Sequence, residues 1–66
     1  MLVSTKRGFK LKYFLRKPIP NSSFILVNYL FEDNTGFFIH GEKLIENKSS
    51  LSRMINNVLQ DINILI

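Results

Sequence analysis

Leu51, Met54, Ile55, Val58, Leu59 and Ile62 recur at steps of three and four near the C-terminal end of the chain. That spacing lines apolar side chains along one stripe of an α-helix. No Gly or Pro interrupts it, and Ser52, Arg53, Asn56, Asn57, Gln60 and Asp61 fall on the opposite face. Ser49 or Ser50 is placed to cap the first turn, its hydroxyl taking an otherwise orphan N–H. The predicted helix covers about residues 50–63. It is the one helical pattern in the chain, and one stripe can bury itself against one face of one layer.

Everything before it carries strand patterns. Phe9 to Lys17 alternates, with Phe9, Leu11, Tyr13 and Leu15 pointing one way and Lys10, Lys12, Phe14 and Arg16 the other. Period two is the signature of a strand with one buried face. Leu2 to Thr5 extends this strand or forms a short one of its own across Arg7-Gly8, for a first strand region of about 2–17. Pro18 to Ser23 ends it, because each proline removes a ladder donor and Asn and Ser favour turns.

Phe24 to Phe31 is apolar on both faces and reads as a central strand, 24–31. Glu32 to Gly36 is a hairpin loop, read as a type I turn with Gly36 left-handed. A third strand follows at 36–40. A tight reversal at Gly41-Glu42 leads to a short optional fourth strand at 43–45. The fold class is therefore α+β, a three- or four-stranded antiparallel meander with one C-terminal helix packed on one face. The closing Ile64-Leu65-Ile66 is too apolar for a free tail and is expected to pack on the sheet or on a second subunit.

One helix leaves one sheet face open. The alternation puts Lys10, Lys12, Phe14 and Arg16 on it, joined by one face of the second strand: Phe24, Leu26, Asn28 and Leu30, or Ile25, Val27, Tyr29 and Phe31. The third strand adds Phe38 with His40, or Phe37 with Ile39. One of the Phe37-Phe38 pair is read as core and the other as a surface aromatic. His40 is read as a loop or strand-end residue.

Charge supplies the strongest functional hint. Lys6, Arg7, Lys10, Lys12, Arg16 and Lys17 fall within the first 17 positions with no carboxylate among them. The rest of the chain holds three basic residues against five acidic ones, for a net charge of +4. A basic stretch interleaved with aromatics suits a polyanion, since cations meet phosphates and rings stack on unpaired bases. The first expectation is a small non-enzymatic nucleic-acid-binding protein whose site is Lys6, Arg7, Lys10, Lys12, Phe14, Arg16 and Lys17. The alternative is a small protein-interaction or inhibitor module of phage or mobile-element type that binds a host protein. A solvated, edge-protecting strand is the ordinary explanation for alternating lysines, and Phe14 is the residue it explains least. The element order is similar to that of single-stranded-DNA-binding transcriptional coactivators and the three-stranded DNA-binding domains of some integrases, a likeness of element order alone.

Other classes lack their residues. There is no Cys, one His, no nucleophile elbow and no carboxylate pair beside His40, so neither catalytic residues nor metal ligands are expected, and no cofactor. At 66 residues the chain has room for a single domain with a marginal core and no disulfide to reinforce it. Folds of this kind lean on oligomerisation, and a homodimer is expected. No apolar run reaches the roughly 20 residues that span a bilayer, and Lys6-Arg7 follows the opening apolar residues, the reverse of a signal peptide. A soluble cytoplasmic protein is expected. The absence of Ala, with abundant Ile, Asn, Lys and Phe, suggests an AT-rich genome.

Overall fold

A computed structural model describes residues 4, 5 and 7–65. Three strands, β1 (Lys10–Pro18), β2 (Phe24–Glu32) and β3 (Phe38–Glu46), precede one helix, α1 (Leu51–Leu65). The strands form an antiparallel sheet in the order β1-β2-β3. The apolar segment is the central strand, as its two apolar faces require.

Before β1, the chain folds back on itself. Ser4 makes an isolated antiparallel bridge with Lys10. Thr5 N–H donates to the Phe9 carbonyl at 2.8 Å, and Phe9 N–H donates to the buried Thr5 Oγ1 at 3.1 Å. Gly8, at φ 81°, supplies the left-handed residue this turn needs. The predicted strand over 2–17 is thus shorter, beginning at Lys10; residues 1–3 lie outside the described residues.

The β2–β3 loop forms as its residue types dictate. Asp33 C=O accepts from Gly36 N–H at 3.3 Å, and Gly36 has φ 88°. The Asp33 carboxylate accepts from Thr35 N–H (2.9 Å), Thr35 Oγ1–H (2.7 Å) and Phe37 N–H (3.0 Å). These bonds hold the carboxyl below its usual titration range, the Thr35 hydroxyl contributing most.

The third strand corrects the expected reversal at Gly41-Glu42. β3 runs unbroken from Phe38 to Glu46, with Gly41 opposite Tyr29. Gly41 is a packing residue: a Cβ there would lie 2.6 Å from Tyr29 Cζ. The tyrosine ring occupies the room that the missing side chain leaves. His40 consequently sits inside a strand, not at its end.

A second correction concerns register. β1 pairs Leu11 with Phe31 but Tyr13 with Leu30, so Lys12 is an extra residue in a β-bulge. A bulge shifts the side-chain parity beyond it. Phe14 and Arg16 therefore oppose Tyr29 and Val27 on the helix-covered face, while Tyr13 and Leu15 oppose Leu30 and Asn28 on the open one. This reverses the strict alternation. The physical reason is spacing: Leu11 and Phe14 both pack on the core cluster, and residues three apart share a sheet face only with an extra residue between them.

The core lies between the sheet and α1. Val27, Phe31, Met54, Val58 and Ile62 are its most deeply buried side chains, with Phe9, Tyr29, Ile45 and Ile55 also buried. Each such burial is worth about 1.5–3 kcal/mol before conformational entropy is charged. Ser50 is the helix cap, its Oγ accepting from Arg53 N–H at 3.2 Å. Lys43 lies on the helix-covered face and fastens the helix to β3, donating to Asp61 Oδ2 at 2.6 Å and to Asn57 Oδ1. Burial, aided by the Asp61 carboxylate and opposed by the Lys43 ammonium, pushes the Tyr29 phenol up. Ile64 and Leu65 do not pack on the sheet but are exposed; Ile66 lies outside the described residues.

Candidate interaction surface

The sheet face away from α1 is built from cross-strand rows. One row joins Tyr13, Leu30 and His40; the next joins Leu15, Asn28 and Glu42; the next joins Lys17, Leu26 and Leu44. Lys10, Glu32 and Phe38 flank them at one end, and Phe24 and Glu46 at the other. Leu15 and Phe38 are each 60% exposed, Leu44 is 54% exposed, and Phe24 and Tyr13 are exposed as well. An apolar surface spread across all three strands is unusual for a solvated face.

Asn28 links two of the face's polar side chains. Asn28 Nδ2 donates to Glu42 Oε2 at 3.3 Å, and Asn28 Oδ1 lies 2.9 Å from His40 Nε2. The His40 ring meets Tyr13 edge-on at 6.3 Å between centroids. Asn28, on the central strand, is thus engaged on both sides in the middle of an apolar field.

The sequence-predicted site residues do not gather on one face. Arg7 is exposed at the turn before β1, and Lys6 lies outside the described residues. Lys10 and Lys17 share the open face by register. Lys12, in the bulge, pairs with Glu32 at 3.5 Å. Phe14 is half-buried against the core, and Arg16 lies on the helix side of the edge strand, exposed. Among the described residues, no carboxylate lies within ion-pairing distance of Lys10, Arg16 or Lys17. The cations therefore line the β1 edge without forming a basic face.

The Phe37-Phe38 expectation is also revised. Phe38 is the surface aromatic, but Phe37 is exposed too, its ring edge-on to Phe9 at 6.2 Å. Sequence reasoning missed Tyr13, Leu15 and Leu44 as surface residues and Lys43 as a tether. The run Tyr13-Phe14-Leu15 carried a signal, since three consecutive apolar residues cannot alternate cleanly.

An open groove of 530 Å³ runs from Phe24 and Leu44 on the sheet to Lys48, Arg53 and Asn57 beside the helix. Among the described residues, no three His, Asp or Glu side chains converge as a metal-binding group, and no helix is long and apolar enough to cross a membrane. No family model, curated protein or solved structure matches the chain.

Proposed function

We propose that the protein is a small interaction module that binds another protein surface through the open face of its sheet. The observation that carries this reading is the exposure of Leu15, Phe38 and Leu44, one or more from each edge strand, on a face that the helix does not cover. Apolar and aromatic side chains flanked by charged ones match the core-and-rim composition of protein interfaces. The cations supply orientation and encounter rate more than affinity.

The exposed cations along β1 favour a second reading. Lys10, Lys12, Arg16 and Lys17 project from an edge strand that a nucleic-acid backbone could follow, with Arg7 at the turn before it and Tyr13 as an exposed ring on it. That binding would weaken steeply with salt and be removed by Lys10→Glu with Lys12→Glu. The face-binding reading predicts no such loss.

A photo-crosslinking amino acid at position 44, on the open face, tests the first reading against one at Asn56, on the outer face of the helix. Protein adducts that form from position 44 in source cells and resist nuclease support it. Adducts from position 56 alone, or nuclease-sensitive adducts only, overturn it.

A further inference from the structure

The open face has a basic edge and an acidic edge. β1 brings Lys10 and Lys17 to it and no carboxylate, whereas β3 brings Glu42 and Glu46 and no Lys or Arg, with Glu46 held in an exposed ion pair by Lys48, just past the strand, at 3.3 Å. The apolar rows lie between. A surface with opposite charges on its two sides and an apolar centre is complementary to its own copy turned half-way round.

We propose that the partner on this face is a second copy of the chain, related by a two-fold axis parallel to the strands. This rests on the interaction reading above and names its partner. Sheets that pack face to face keep their strands within about 30° of each other, at about 10 Å separation. Two in-plane axes satisfy that arrangement. An axis across the strands lays β1 on β1, stacking lysines on lysines and glutamates on glutamates. An axis along the strands lays each β1 over the other copy's β3 and each β2 over its counterpart.

The register then places specific charges. Lys17 shares a row with Leu26 and Leu44. That row lies between the rows of Glu42 and Glu46. Adjacent rows on one face are about 7 Å apart, within the span of a lysine side chain. Lys17 of one copy therefore settles between Glu42 and Glu46 of the other, and the contact occurs twice in an isologous interface. Leu30, Leu26 and Phe24 meet their own counterparts near the axis. Asn28 also falls at the axis with its amide already engaged by Glu42 and His40, so burying it strands fewer unsatisfied groups.

Analytical ultracentrifugation of the full chain, with the position-44 crosslinker as a second readout, tests this. The expected species is twice the 7.7 kDa chain mass. Lys17→Glu should raise the dissociation constant at least tenfold, and so should Glu42→Lys with Glu46→Lys. The triple variant, which reverses the sign of every charge in that contact, should return to within about threefold of wild type. All the substituted side chains are exposed, and circular dichroism at dilute protein verifies that each variant folds. A monomeric wild type at high concentration overturns the proposal. So does a triple variant no better than either parent, which would exclude the β1-over-β3 arrangement. Crosslinked adducts to a different protein would overturn the second copy while upholding the interaction reading; no protein adducts from position 44 would overturn both.

Discussion

Gly41 and Gly36 are needed for different physical reasons, and their alanine variants separate them. Gly36 has a left-handed φ and open space around it, so Gly36→Ala costs about 1–2 kcal/mol through backbone conformation alone. Gly41 has no such φ, but Tyr29 lies across it. Gly41→Ala should cost about 1–3 kcal/mol by forcing a buried ring aside. In denaturant titrations, the Gly41 penalty should shrink in a Tyr29→Leu background while the Gly36 penalty stays constant; equal penalties in both backgrounds would remove Tyr29 from the explanation. Asp33 acts at the same scale through its charge. Its folded-state pKa is lowered, so its contribution is fully present above the unfolded carboxyl pKa and is lost as pH falls through the folded value. Asp33→Asn can keep the acceptor oxygen but not the titration. The melting-temperature difference between wild type and Asp33→Asn should therefore narrow as pH falls below about 4, and a difference constant with pH would exclude the carboxylate charge.

At the scale of elements, the bulge at Lys12 decides what each face of the sheet presents. Phe14 packs on the core cluster while Tyr13 stands on the open face. Phe14→Ala should thus cost roughly 2–3 kcal/mol, below the range for fully buried aromatics because the ring is half-buried. Tyr13→Ala should cost under about 1 kcal/mol at dilute protein. Strict period-two alternation predicts the reverse order, so chemical denaturation of the two variants tests the bulge directly. The helix was legible in the sequence because its stripe is long and uninterrupted, and β2 because its composition is apolar throughout. The faces of β1 were not, because parity is non-local in its consequences: one inserted residue exchanges the two faces for everything beyond it. β3 was cut short for a related reason. Glycine signals a turn when only its own backbone freedom is considered, and the reason for Gly41 is a tyrosine on the neighbouring strand. Lys43 was hidden likewise, since its partners Asn57 and Asp61 lie on an element that docks only in the folded chain.

For the whole molecule, the consequence is a one-sided core. α1 covers one face of a three-stranded sheet, and among the described residues the core is concentrated in nine buried apolar side chains. A layer this thin leaves little stability to spare. Covering the second face with another copy would add a second apolar layer and make folding and association one equilibrium. Such an equilibrium responds to concentration: each tenfold rise in protein adds about 1.4 kcal/mol to the free energy of unfolding the dimer. The melting temperature should then climb by a few degrees per decade of concentration. Leu44→Glu, which sets a charge in the middle of the face, should melt lower than wild type at high concentration and show no such slope. The two should converge on dilution, because Leu44 is exposed in the single chain and contributes little to its core. A wild-type melting temperature independent of concentration would mean that the single helix-covered layer is sufficient for folding, and that no second copy covers the apolar face.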